Sequence, residues 1–175
     1  VARVNSGAIY SDGSNKVPPY EKYFFAGGSN SLRAWLPRRL GPGRSEPRRT
    51  SNNLSFESPG EFLMEGNLEW RGFLAKFFGD INYALFIDAG NVWNLNSNAP
   101  EEQKLKADQF LKEIAIGTGF GIRYDLSFFI LRFDFGIKVY DPSLQRFVLN
   151  ELELNKLFKR TQSNFLNINL GVGYP

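Results

Sequence analysis

The stretch from Tyr20 to Gly43, YEKYFFAGGSNSLRAWLPRRLGPG, holds the residues with the clearest capacity for specific chemistry. Its centre, FAGGSNSLRAW, places Arg33 between a glycine pair and flanking aromatic residues. A guanidinium is a permanently charged fork of five donors, so a desolvated arginine requires carboxylate or carbonyl partners. Gly27 and Gly28 permit the backbone angles of a sharp reversal. The stretch therefore reads as a loop, and its surroundings decide whether Arg33 is solvated or buried against an acid.

Catalytic chemistry is disfavoured by composition. The 175 residues include no Cys and no His, which removes the commonest general base, the commonest metal ligand and any thiolate site. The alternating glycines Gly117, Gly119 and Gly121 do not form a dinucleotide loop, because they lie on one predicted strand with no helix after it. We identify no catalytic site and predict that the chain is not an enzyme and uses no cofactor or metal.

A cluster of arginines accompanies the loop: Arg38, Arg39, Arg44, Arg48 and Arg49. Such a cluster could bind nucleic acid or anionic headgroups. The net charge is only +3, and a run of this kind is more often a solvated loop. We adopt that interpretation and predict no nucleic-acid partner.

Around the loop, apolar and polar residues alternate with a period of two. Six segments show the pattern: Val1–Tyr10, Glu61–Arg71, Asp80–Trp93, Glu113–Tyr124, Phe128–Tyr140 and Asn164–Tyr174. A period of two predicts strands and excludes helices. At about 3.3 Å per residue and a tilt of about 45°, strands of this length cross a hydrocarbon layer of about 25–30 Å.

A soluble antiparallel sandwich would show the same alternation. A membrane barrel is favoured because the apolar faces are uniformly large, whereas the opposite faces are rich in glycine and in charges of both signs. Aromatic residues near strand ends are typical of membrane-interface girdles: Tyr10, Trp70, Trp93, Tyr124, Tyr140 and Tyr174. Long connections at 11–60, 94–112 and 141–163 alternate with short ones at 72–79 and 125–127. Apolar spacing from Leu144 to Leu157 predicts a short helix in the last long connection.

Five motifs, in this order, resemble the BamA/TamA-like outer-membrane assembly family: FAGGSNSLRAW with LGPG, GNLEWRG, ALFIDAGNVW, GTGFGIRYDLSFFILRFDFG and INLGVGYP. The resemblance implies that residues 1–175 are the C-terminal part of a sixteen-stranded, all-β, antiparallel transmembrane barrel in the bacterial outer membrane. The predicted loop at about 11–60 would be extracellular and fold back into the lumen. Earlier strands and periplasmic domains would precede Val1.

In that family the loop arginine meets an aromatic residue and an acid of an F-x-D element on the barrel wall. The matching residues are Arg33, Phe86 and Asp88, and the period of two independently places Phe86 and Asp88 on the polar face. Glu69 shares that face and is a second candidate partner. Ala34 stands where the family usually has glycine. The loop motif and its lumen anchor thus comprise Gly27, Gly28, Leu32, Arg33, Ala34, Trp35, Glu69, Phe86, Asp88 and Gly90.

By the same resemblance, the last strand forms a lateral seam with the first strand of the barrel. Its inward residues are Asn167, Asn169, Gly171 and Gly173. We expect them to contribute little packing, leaving a weakly held edge at which a client strand could pair.

The function implied is an outer-membrane insertion factor that acts without a cofactor. Its expected partners are outer-membrane lipid and lipopolysaccharide, nascent β-barrel clients, and periplasmic or lipoprotein accessory subunits. Two alternatives share this type of barrel: a two-partner secretion transporter and the membrane barrel of a patatin-like phospholipase.

Overall fold

A computed structural model describes residues 1–10, 18–46, 56–148 and 165–173. Period-two alternation has produced strands throughout: β1 (Ala2–Ala8), β2 (Phe62–Lys76), β3 (Asp80–Trp93), β4 (Ala115–Asp125), β5 (Ile130–Asp141), β6 (Arg146–Phe147) and β7 (Leu166–Gly173). Within these ranges, the helical elements are a 3₁₀ turn (Tyr20–Lys22) and a four-residue α-helix, α1 (Phe110–Glu113). The predicted all-β antiparallel architecture is confirmed.

All seven strands belong to one antiparallel sheet, in which β1 to β5 are neighbours in chain order. Because β4 occupies one edge of β5, the two remaining strands share the other edge. The last strand, β7, pairs with β5 from Ile130 to Ile137, whereas β6 pairs with Tyr140 and Asp141. The edge of β5 is therefore completed by two separate segments of chain.

The two faces of the sheet differ in chemistry. In β3, Phe86 and Asp88 are buried on what we call the inner face, whereas Leu85 and Ile87 on the outer face are about half exposed. The same parity holds in β7, where Asn167 and Asn169 are buried and Ile168 and Leu170 are exposed. The sheet is apolar on its exposed side and polar on its buried side, consistent with part of a transmembrane barrel.

The ends of the sheet differ as well. Short turns join β2 to β3 and β4 to β5 at one end, called here the short-turn end, and the opposite end carries the long connections. The prediction ended the second strand at Arg71, but β2 continues to Lys76. A register shift between Phe73 and Ala75 breaks the alternation there, which is why the pattern stopped early.

Other boundaries also differ from expectation, among them those of β1, which ends at Ala8, and of β5, which begins at Ile130. The fourth strand begins at Ala115, because Phe110–Glu113 forms α1. The described part of the predicted helix contains a turn and the two-residue strand β6. The rest of that predicted helix, residues 149–157, lies outside the described residues, as do Arg48, Arg49, Tyr174 and the loop segments 11–17 and 47–55.

The apolar core lies between the inner face and the loop connecting β1 to β2. It joins five loop residues to three from the strands: Ala26, Leu32, Ala34, Trp35 and Leu40 with Leu63, Val92 and Ala115. Burial of these groups provides a non-directional driving force for keeping the loop against the sheet. The hydrophobic core is thus the interface between this loop and the inner face of the sheet.

Candidate functional site

The segment 27–35 of the loop forms a tight turn that is held by its own backbone hydrogen bonds. Gly27 and Gly28 have φ of 100° and 101°, a region that glycine enters without steric cost. The Gly28 amide donates to the carbonyls of Leu32 (3.2 Å) and Trp35 (3.0 Å), and the Trp35 amide donates to Leu32 O at 3.2 Å. Ala34 lies inside this last turn without a positive φ. The alanine is therefore accommodated where the family usually has glycine.

Arg33 at the apex of the loop is bound to Asp88 on the inner face. Its Nε donates to Oδ2 at 2.9 Å and its Nη2 to Oδ1 at 2.8 Å, while its backbone amide donates to Oδ2 at 3.0 Å. Arg33 is 5% exposed and Asp88 is fully buried. A bidentate pair of this kind fixes both orientation and position.

Two more predicted residues complete the surroundings of the guanidinium. Its carbon lies 3.5 Å from the centre of the Phe86 ring, and its Nη1 donates to Glu69. The guanidinium faces the negative surface of the Phe86 ring and lies between the carboxylates of Asp88 and Glu69. The structure therefore brings together Arg33, Phe86, Asp88 and Glu69.

Cross-strand register explains why these side chains meet. Asn67 and Glu69 of β2 stand directly opposite Asp88 and Phe86 of β3. The second of these rows continues across the sheet as Phe86, Gly119, Gly136 and Asn167. The loop lies across this row, which begins with the acid Glu69, passes over two glycines and ends on β7.

The glycines in these rows leave room for the loop. A methyl group at Gly136 would lie 2.6 Å from Arg33 C and 2.7 Å from Ala34 N, and one at Gly117 would lie 2.7 Å from Ala34 Cβ. Gly90, predicted as part of the motif, plays a different part. A methyl group there would meet Met64 O at 2.5 Å and Glu65 Cα at 2.7 Å, so Gly90 permits close approach of β2 to β3.

The ion-pair network extends beyond the predicted residues. Arg123 on β4 lies 3.3 Å from Glu69 and 2.6 Å from Asp134 on β5, and Arg71 lies 2.6 Å from Glu69. Three arginines and three acids thus alternate across four strands and the loop. Each buried charge of this network has an opposite neighbour, which is the condition for burying ions at tolerable cost.

Other polar partners were not predicted as site residues. Asn67 donates from Nδ2 to Asp88 Oδ1 and to Ser31 O, both at 2.8 Å. Ser31 bonds to Glu65, and its Oγ accepts from the Gly27 amide at 3.1 Å. The period of two places Asn67 and Glu65 on the inner face, but only the register shows that they reach the loop.

The predicted seam residues fall into two groups. Asn167 and Asn169 are buried and donate to loop carbonyls, which differs from the expectation of little packing. A methyl group at Gly171 would lie 3.2 Å from the Arg132 guanidinium, and one at Gly173 would have nothing within 4 Å. Because glycine has no side chain to reach the loop, Asn167 and Asn169 are the seam residues that contact it.

This geometry binds and positions chain segments. Among the described residues, no group of three or more acidic side chains is arranged to hold a metal ion. In that part of the chain, no helix is long and apolar enough to cross a membrane. The exposed apolar face, the polar inner face and the loop bound to it define a segment of a transmembrane β-barrel.

Comparison with known protein families agrees with this class. The model of the Omp85 superfamily domain matches residues 1–173. The chain belongs to the Omp85 superfamily, whose members are outer-membrane β-barrels concerned with protein insertion or secretion. The match spans nearly the whole chain, including the loop and both outermost strands.

Proposed function

We propose that this chain is the loop-bearing part of a barrel that inserts β-barrel proteins into the bacterial outer membrane. The observation that carries the proposal is the burial of Arg33 against Asp88, Phe86 and Glu69. Such an anchor holds a long connection inside the barrel wall at one position. Superfamily membership supports an outer-membrane location and a general activity in protein insertion or secretion.

In the proposed mechanism the docked loop acts as an internal brace for the strands that flank the seam. The loop is fastened to β2 and β3 through its arginine and touches β5 and β7 through its backbone. The short-turn half of β7, which has glycine at positions 171 and 173, is free to separate. A client strand then adds to the exposed edge by pairing its backbone groups with those of the barrel.

The partners in this proposal follow from the two faces. The apolar outer face contacts outer-membrane lipid and lipopolysaccharide, and the seam receives a nascent β-barrel client. Periplasmic or lipoprotein subunits would deliver that client. No step requires a cofactor, because strand addition exchanges hydrogen bonds without making or breaking covalent bonds.

A vesicle assay tests the proposal. The intact protein, reconstituted in phospholipid vesicles, should accelerate the appearance of protease-resistant folded client over vesicles without it. Arg33→Ala should abolish most of this acceleration. Arg33→Lys should also impair it, because an ammonium cannot form the bidentate pair. The matched control is Arg38→Ala, since Arg38 lies in the same loop but pairs with Glu57 at the surface.

Two results would overturn the proposal. If the unsubstituted protein gives no acceleration yet exports a dedicated substrate, the barrel is a secretion transporter. If Arg33→Ala assembles clients at the original rate, the anchored loop has no part in insertion.

A further inference from the structure

Two side-chain amides of the last strand bind the backbone of the arginine loop. Asn167 Nδ2 donates to Arg33 O and to Trp35 O, both at 3.0 Å, and Asn169 Nδ2 donates to Arg33 O at 2.8 Å. Asn167 Nδ2 also lies 3.3 Å from Asn169 Oδ1. Both asparagines are at least nine-tenths buried. Residues more than 130 apart in sequence are thereby joined through the carbonyls on either side of Ala34.

The carbonyls of Arg33 and Trp35 are within hydrogen-bonding distance of the two asparagines only while the loop is docked. Arg33 uses its side chain and its amide to hold Asp88, and the same residue presents its carbonyl to β7. Gly136, opposite Asn167 in the sheet, lets the loop backbone approach closely enough for this contact. A shift of the loop away from Asp88 therefore withdraws Arg33 O from both asparagines at once.

The contacts are confined to one half of β7. Asn167 and Asn169 lie toward the end of the sheet that carries the long connections, called here the long-loop end, while Gly171 and Gly173 follow toward the short-turn end. The ladder between β7 and β5 covers only eight residue pairs. Three amide-to-carbonyl bonds are a substantial addition to so short a ladder.

We propose that Asn167 and Asn169 are positioning residues that couple loop docking to the pairing of β7 with β5. With Arg33 docked, the amides hold the long-loop half of β7 in register. With the loop withdrawn, β7 is held by its ladder alone and opens more readily. The proposal rests on the proposed function, in which β7 borders the seam, and names the contact that regulates it. Because coupling is reciprocal, opening of β7 also loosens the loop.

Hydrogen exchange tests this coupling without any client protein. The intact protein in phospholipid vesicles would be exchanged and read by mass spectrometry at β7. Asn167→Asp with Asn169→Asp keeps side-chain shape but replaces each donor with an acceptor facing a carbonyl. We expect exchange of the β7 amides to rise by about tenfold to a hundredfold, because the two substitutions remove all three amide-to-carbonyl bonds. Exchange in β3 should stay unchanged.

A double-mutant cycle gives the decisive comparison. Arg33→Ala alone should raise β7 exchange by a similar factor, and adding the two aspartates should raise it little further. The control is Asn82→Asp, an asparagine on the inner face of β3 for which the described residues provide no side-chain hydrogen bond. If the double aspartate variant does not fold, Asn169→Ala, which removes one donor only, replaces it.

Unchanged β7 exchange in the asparagine variants would overturn the proposal. So would rate factors that simply multiply with that of Arg33→Ala, because independent effects mean no coupling. Failure of the proposed function would give a different result: the protein would not accelerate client assembly in vesicles, while the predicted changes in β7 exchange would still be observed.

Discussion

The inner and outer faces of the sheet obey opposite rules. On the inner face, Phe86 and Asp88 are buried beneath the arginine loop; on the outer face, Leu85 and Ile87 of the same strand are 47% and 53% exposed. Buried polar side chains are as numerous as buried apolar ones among the described residues. A soluble sheet buries its apolar face, so the exposed apolar side fits the lipid-facing surface of an outer-membrane barrel.

The two faces are also stabilised differently. The outer face is built mainly of apolar side chains, whose contacts include the aromatic pairs of Trp70 with Tyr83 and of Phe120 with Phe135. The inner face depends on named partners, because a buried charge without an opposite neighbour is costly. On the outer face, the effect of a substitution on stability should therefore depend on its charge and on its depth in the bilayer. On the inner face, it should depend on which partner the side chain loses.

The largest effect should follow from removing one member of the buried pair. Asp88→Ala leaves Arg33 without its bidentate acceptor and Asn67 without an acceptor at 2.8 Å. We expect a loss of about 3–5 kcal/mol in the free energy of unfolding, measured by urea titration in vesicles. Arg33→Ala combined with Asp88→Ala should cost less than the sum of the two single changes. Simple additivity would contradict the pairing.

The next effect tests the outer face. Leu85→Arg puts a cation in mid-strand on the exposed apolar side and should destabilise the inserted protein by about 2–4 kcal/mol. Leu85→Phe is the control, because it keeps the face apolar. Arg132 on the inner face of β5, which donates to Asn30 at 3.0 Å, shows that an arginine is accommodated there. Equal stability of the arginine and phenylalanine variants would mean that lipid does not cover this face.

A smaller effect compares one substitution on both faces. Gly136→Ala would bring a methyl group within 2.6 Å of the loop backbone, whereas at Gly66 on the outer face the nearest atom is Arg3 O at 3.9 Å. Overpacking of this kind costs about 1–3 kcal/mol, so Gly136→Ala should destabilise and Gly66→Ala should not. Protease accessibility of the loop would also rise in the first variant. Equal behaviour of both would show that the loop does not rest on Gly136.

The strands and their faces could be predicted from sequence because alternation is local. The prediction failed where locality fails: at the bulge after Phe73, and at Arg146–Phe147, where β6 is a strand only because β5 extends past β7. Two residues cannot show a period, so apolar spacing suggested a helix instead.

For the site, sequence reasoning named Arg33, Phe86, Asp88 and Glu69 through a family motif and parity. It did not identify Arg123 or Asn67 as partners, nor the bonds from Asn167 to the loop. Those contacts depend on the register between strands and on where the long loop between β1 and β2 lies against the inner face of the sheet. Neither quantity is encoded in the spacing of any one segment.

Glu113 is a buried carboxylate of another kind. It ends α1, outside the strands, and its Oε2 accepts from Trp93 Nε1 at 2.7 Å. Its Oε1 has no hydrogen-bond partner among the described residues. Burial raises the pKa of Glu113, although the Trp93 hydrogen bond and the charge of Arg44 oppose the shift. Its environment thus contrasts with that of Asp88, which faces an arginine directly.

The smallest predicted effect follows from that raised pKa. The folded state holds the Glu113 proton more tightly than the unfolded state, so the favourable contribution is complete below the ordinary pKa and is lost as pH rises through the raised one. Glu113→Gln removes the charge but keeps an oxygen for Trp93. The variant should therefore gain slightly in stability over the unsubstituted protein at neutral pH, with the difference vanishing near pH 4. Urea titrations of both proteins across this range measure it. A difference that is independent of pH would show that Glu113 is ionised in the folded protein without penalty.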